Sequence, residues 1–152
     1  MSPRVWKATP EDAHHVVRLL LAFREWYAKP TTPEIETQFS GMVCKILMRD
    51  DAEYLLAGEG PDAVIQVRYR LSIWTGGEDC WIEDVYVEEA ARGQGLGRAL
   101  VVEALRRARE RGCGRAELDV DVVNEPARAL YGSLGFVDKA KGGSLLLQCP
   151  LT

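Results

Sequence analysis

A chain of 152 residues with 47% hydrophobic and 28% charged residues has the size and balance of one globular domain with its own core. No apolar run approaches the roughly 18 residues of a membrane span, because the longest candidate, residues 16–23, is cut by Arg18. The net charge of −4 argues against a general nucleic-acid binder, which needs a basic surface for phosphates. Residues 1–7 carry no secretory pattern, so the expected address is the cytoplasm.

Residues 4–8 can form a short first strand. Thr9-Pro10-Glu11-Asp12 then reads as a helix entrance, with Thr9 as N-cap, Pro10 in the first position and an acid in the third, and the helix runs to about Tyr27. Lys29-Pro30-Thr31-Thr32-Pro33 breaks it. Thr32-Pro33-Glu34 opens a second helix, whose Ile35, Phe39, Met42, Val43, Ile46 and Leu47 recur at helical spacing. Residues 53–58, 62–74 and 80–87 are rich in β-branched and aromatic side chains and are punctuated by Gly58-Glu59-Gly60-Pro61 and Gly76-Gly77. Three successive antiparallel strands are predicted there. A glycine-rich turn follows, then a helix over 95–111 with Gly97, Val101, Ala104, Leu105 and Ala108 on one face and Gly112 as its stop. Residues 115–122 form the next strand, parallel to the one before the helix and joined to it by a right-handed crossover. Asn124-Glu125-Pro126 starts a shorter helix to Leu134, and residues 135–139 and 144–149 are expected to close the fold as a hairpin across Lys141-Gly142-Gly143. The order describes a single α/β domain over 1–152, with a mixed, mostly antiparallel sheet and helices on both faces.

Charge is uneven along the chain. Residues 92–115 hold seven arginines against Glu103 and Glu110, which suggests one anionic ligand held locally, although the arginines from Arg106 onward equally suit a solvated helix face. Cys44, Cys80, Cys113 and Cys149 stand far apart with no C-x-x-C pair, and His14 and His15 are adjacent on a helix, so neither a metal site nor a His-centred triad is expected.

The most informative stretch is Trp81-Ile82-Glu83-Asp84-Val85-Tyr86-Val87 followed by Arg92-Gly93-Gln94-Gly95-Leu96-Gly97-Arg98. A glycine-rich turn between strand and helix bares backbone N–H groups at the positive end of a helix dipole, which suits a phosphate. The Walker A spacing is absent, and a G-x-G-x-x-G dinucleotide loop fails because Arg98 stands at the third glycine. Arg92, Gly95 and Gly97 do supply R/Q-x-x-G-x-G/A. With Leu118-Asp119-Val120, Asn124 and Ala129-Leu130-Tyr131-Gly132-Ser133-Leu134-Gly135-Phe136, the chain resembles the GNAT superfamily of acyl-CoA-dependent N-acetyltransferases. In motif it is most similar to the diamine and spermidine acetyltransferase branch.

That resemblance implies a splayed pair of parallel strands and acetyl-CoA as cosubstrate, with no metal. The pyrophosphate would lie on Arg92, Gly93, Gln94, Gly95, Leu96, Gly97 and Arg98, and the pantetheine arm along the main chain of Val85, Tyr86 and Val87. Asn124 and Ala127 would add coenzyme contacts. An amide-bearing arm can satisfy peptide groups left unpaired where two strands part. An alkyl amine is neutral only about once in two thousand molecules at pH 7, so a base must take its proton. By resemblance Glu83 is that base, through a water, and Tyr131 is the acid toward the coenzyme sulfur. Asp119 stands where other branches place an acid, and strand alternation puts Asp84 on the face opposite Glu83. An acyl-cysteine on Cys80 or Cys113 lacks an activator. The reading is acetyl transfer to a primary amine of a small cationic molecule by direct attack in a ternary complex. Glu83, the Trp74 region and the acidic remainder favour such an acceptor, with Arg24, Glu25, Trp26 and Tyr27 near its mouth. A protein or peptide amine, or a non-catalytic acyl-CoA sensor, are the alternatives. A homodimer is implied by the resemblance alone.

Overall fold

The computed structural model describes residues 2–139 and 146–151. The chain divides into two compact units, Met1–Asp119 and Val120–Thr152.

In the first unit both predicted helix entrances form as local side-chain chemistry dictates. Thr9 and Asp12 make a reciprocal capping box around the 3-10 turn Pro10–Asp12, which leads into α1 (Ala13–Trp26). Thr32 Oγ1 accepts from the Ile35 amide at 3.2 Å and opens α2 (Pro33–Leu47). The strands β1 (Val5–Lys7), β2 (Ala52–Ala57), β3 (Ala63–Ser72), β4 (Gly77–Val87) and β5 (Ala116–Leu118) lie side by side in that order. Every pairing is antiparallel except β4 with β5, which are parallel and joined through α3 (Leu96–Arg111). Gly112 ends α3 in the left-handed conformation, the predicted stop.

Both faces of the sheet are covered. Tyr54, Leu56, Val64 and Tyr86 point to one side, where they pack with Val16, Val17 and Leu19 of α1 and Val43 of α2. Alternation turns Leu55 and Ile65 to the other side, the side of α3, whose buried residues are Leu96, Leu100, Val101, Ala104 and Ala108. A buried ion pair also ties α3 to the sheet. The Arg107 guanidinium reaches both Glu53 oxygens at 2.8 Å, and the Tyr69 hydroxyl donates to Glu53 Oε1 at 2.8 Å. Burial pushes the Glu53 carboxyl up, but the Arg107 and Tyr69 hydrogen bonds outweigh it and leave the group below its ordinary value.

The basic island is mostly internal wiring. Arg106 binds Glu103 and Glu110, Arg107 binds Glu53, Arg111 binds Glu78 and the Asp50 carbonyl, and Arg115 binds the buried Asp79. These four arginines are committed to the protein's own acids, so they do not support the expected anionic ligand.

In the second unit α4 (Glu125–Ser133) begins as predicted, with Asn124 Oδ1 accepting from the Ala127 amide at 3.2 Å. Upstream, Asp121 turns the chain, its side chain taking the Val123 amide at 3.1 Å and its carbonyl the Asn124 amide at 2.9 Å. The predicted strand over 115–122 is therefore short and ends at Leu118. Residues 135–139 and 146–149 form no strand, and the turn expected at 141–143 lies outside the described residues.

Candidate functional site

The site is set by β4 outlasting its parallel neighbour. Pairing with β5 stops at Ile82–Leu118, while β4 runs on to Val87. The Glu88 amide donates to the Asp62 carbonyl at 2.9 Å, and Tyr86 and Asp84 stand opposite Val64 and Gln66. Antiparallel alternation therefore directs the peptide groups of Asp84, Tyr86 and Glu88 to β3, and those of Val85 and Val87 to the open side. This corrects one expectation: Tyr86 spends its main chain on the sheet, and only Val85 and Val87 present peptide groups to a ligand along this edge. The Val87 carbonyl already accepts from Arg92 Nε at 3.0 Å.

Beyond Val87 the chain makes the 3-10 turn Glu89–Ala91 and then the glycine loop. Gly93 and Gly95 both hold φ +80°, left-handed backbone that a residue with a Cβ enters only under strain. Gly95 is also the N-cap residue of α3. No described residue accepts a hydrogen bond from the amides of Gly93, Gln94, Gly95, Leu96 or Gly97, whereas Ala99 donates to the Gly95 carbonyl at 3.0 Å. Leu96 is buried and anchors the turn, with Gly93, Gln94 and Gly95 exposed around it. A diphosphate fits this cradle, because N–H groups at the positive end of a 16-residue helix complement its charge. The Arg92 guanidinium lies 4.2 Å over the Trp26 ring and 5.9 Å from the Tyr86 centroid, so it braces the loop against α1. Arg98 is exposed in the first turn of α3.

The carboxylates sit where β4 carries a bulge. Val67 faces Ile82 and Gln66 faces Asp84, which leaves Glu83 as the extra residue with no partner in β3. Glu83 Oε2 accepts from Arg68 Nη2 at 2.7 Å and from Trp81 Nε1 at 2.6 Å. Arg68 and Trp81 face one another in the register and share the sheet side of Gln66 and Asp84. Glu83 and Asp84 thus point to the same face, that of α1 and α2, and the expected opposition fails because the bulge resets the alternation. Asp84 is half-buried, and its carboxylate has no hydrogen-bond partner among the described residues. Burial, and next the like charge of Glu83, push its carboxyl up to about 6, with Arg68 pulling the other way. Asp119 is exposed just beyond β5.

Aromatic residues at the end of α1 frame this face. Phe23 stacks on Tyr86 at 5.2 Å between centroids and meets Tyr27 at 5.3 Å, while Trp26 and Tyr27 remain more than half exposed. They form part of the surface beside β4 and the loop. Trp74 does not. It is exposed in the turn between β3 and β4, at the opposite end of β4 from Val87, roughly 30 Å away at the rise of an extended strand.

In the second unit Asn124, Ala127 and Tyr131 lie on or at the start of α4. The Ala127 amide is taken by the Asn124 cap, and Tyr131 meets Phe136 edge-on at 5.7 Å. Burial pushes the Cys80 thiol up to about 12, so it holds no thiolate at neutral pH.

Sequence reasoning passed over Arg68 and Trp81, which fix Glu83. The adjacent acids in a strand-like stretch were the available signal, since a strict strand would turn one of them toward the α3 core.

The family model described as the acetyltransferase (GNAT) family matches residues 20–136. Thialysine N-epsilon-acetyltransferase of Sus scrofa is 36% identical over 92 residues, covering 57% of this chain and 54% of that protein. Streptothricin acetyltransferase of Streptomyces lavendulae is 36% identical over 87 residues, covering 57% of this chain and 45% of that protein. The chain spans about half the length of these curated relatives. The crystal structure of a probable acetyltransferase superposes with a TM-score of 0.83 at 26% identity, covering 97% of this chain and 99% of the other. The family match runs through both the parting parallel pair and the glycine loop: the protein belongs to the GNAT acetyltransferase family.

Proposed function

We propose that the protein, acting as a single domain, transfers the acetyl group of acetyl-CoA to a primary amine of a small cationic molecule by direct attack in a ternary complex. The observation that carries this reading is the run of loop amides from Gly93 to Gly97 left without acceptors among the described residues, beside the edge of β4 that no described strand pairs. These groups bind the diphosphate, and Val85 and Val87 orient the amide-bearing arm. The Asn124 side chain serves chiefly as the cap of α4. A β4 carboxylate takes one proton from the acceptor ammonium. The amine nitrogen then bonds to the acetyl carbon as the carbon–sulfur bond breaks. Tyr131 gives its phenolic proton to the departing sulfur and recovers one from the new amide nitrogen, so each turnover releases one proton.

The relatives named for thialysine and streptothricin support an amine acceptor, and the chain's net charge of −4 favours a cation. A cytoplasmic homodimer completes the proposal, and sedimentation measures the dimer. The test is turnover of a pooled amine library by wild type and Tyr131→Phe. The proposal predicts a fall of about 100-fold or more in kcat with acetyl-CoA affinity nearly kept. Tight acetyl-CoA binding with no turnover by either protein would favour a sensor, and turnover of a peptide amine alone would replace the small-molecule acceptor.

A further inference from the structure

Two neighbouring acids share one face of β4, yet their surroundings differ. Glu83 Oε2 holds two donors, Arg68 Nη2 at 2.7 Å and Trp81 Nε1 at 2.6 Å, and its charge is matched by the guanidinium. A proton arriving on that oxygen must displace at least one of those donors. Asp84 has no such commitment: its oxygens hold no hydrogen bond from a described residue, so their lone pairs remain available. It immediately precedes Val85, the first β4 residue after the bulge whose peptide groups turn to the open edge. From β4 the charge acting on it is Glu83, from β3 it is Arg68, and the buried Tyr54 phenol of β2 feels both carboxylates. Among the described residues no charged group of α1 or α2 acts on it.

We propose that Asp84, not Glu83, takes the proton from the acceptor ammonium, and that Arg68 and Glu83 form a positioning pair that sets the charge Asp84 feels. This rests on the acetyltransfer reading above and departs from the role that resemblance gave to Glu83. In the step, one N–H bond of the ammonium breaks with its electron pair kept on nitrogen, and an O–H bond forms on Asp84, directly or through one water. Asp84 returns the proton to solvent before the next cycle. The raised carboxyl matters here, because an ammonium near 10.4 yields its proton to a group at about 6 roughly a hundred times more readily than to one at 3.8. At pH 7 about nine-tenths of Asp84 is still ionised and able to accept.

The test uses the full chain with acetyl-CoA and, as acceptors, spermidine, lysine and a short peptide with a free amino terminus. Wild type is compared with Asp84→Asn, Glu83→Gln and Arg68→Gln. Asp84→Asn is expected to lose about 100-fold or more in kcat while acetyl-CoA affinity stays within about threefold, and Glu83→Gln to lose less than about tenfold. The acid limb of the kcat profile should move down in pH in Glu83→Gln, which removes a like charge, and up in Arg68→Gln, which exposes one. A Glu83→Gln loss as large as that of Asp84→Asn, or an acid limb indifferent to both neighbours, would overturn the proposal. Should acetyl-CoA bind and no acceptor react, the acceptor class is wrong. Carbon-13 carboxyl titration of Asp84 then decides: opposite shifts in the two neighbour variants uphold the positioning pair, and unchanged titration refutes it.

Discussion

Asp84→Asn should strengthen the fold while weakening the enzyme, because the same environment that makes Asp84 a better proton acceptor makes its charge costly to hold. The carboxyl rises from 3.8 to about 6 on folding, a difference worth at most about 3 kcal/mol, which partial exposure to water reduces to about 1–2 kcal/mol. The folded protein binds this proton more tightly than the unfolded chain. Its contribution is therefore fully present below about pH 4, falls as pH rises toward 6, and is lost above that. An amide has no proton to lose. Wild type and variant should melt together near pH 4, and the variant should lead by about 3–6 °C at pH 8 in thermal denaturation across a pH series. A variant that melts lower than wild type at pH 8, or by a margin that does not change with pH, would refute the reasoning.

Arg107→Met should cost about 3 kcal/mol in urea denaturation, because it leaves the Glu53 carboxylate buried without its bidentate partner; a loss below about 1 kcal/mol would show that Tyr69 and Lys7 suffice. Gly95→Ala places a Cβ at φ +80° in open space, so strain and not collision sets its effect. We expect a stability loss of about 1–2 kcal/mol and acetyl-CoA affinity reduced at least tenfold by calorimetry; wild-type affinity would contradict the loop assignment. Cys80→Ala should leave kcat and its pH profile unchanged, since a thiol pushed to about 12 offers no nucleophile; lost turnover in a folded variant would reopen the acyl-cysteine route.

What was legible in the sequence follows from how far apart the interacting residues stand. The caps at Thr9, Thr32 and Asn124 and the left-handed glycines at 93 and 95 are decided within four residues, and their patterns were readable directly. Parallel pairing of β4 and β5 followed from the intervening helix. The bulge was not readable, because it belongs to the register between two strands and no glycine marks Glu83. That one extra residue reversed the facing of Asp84. Partners 15 and 54 positions apart, Arg68 with Glu83 and Glu53 with Arg107, likewise leave no local pattern. The arginines from Arg106 onward suit an anionic ligand or a solvated helix face equally in sequence, because Glu103 and Glu110 lie among them while Glu53, Glu78 and Asp79 lie far outside. Trp74 has the right chemistry for a cation but sits at the wrong end of its strand.

The central claim is that the loop amides hold the diphosphate, and nitrogen-15 amide spectra recorded during an acetyl-CoA titration, alongside calorimetry, address it directly. Saturable heat together with shifts at Gly93, Gln94, Gly95, Leu96 and Gly97 is the predicted result, with both abolished or greatly weakened in Gly95→Ala. An absence of heat, or saturable binding that leaves those five amides unmoved, would contradict the account.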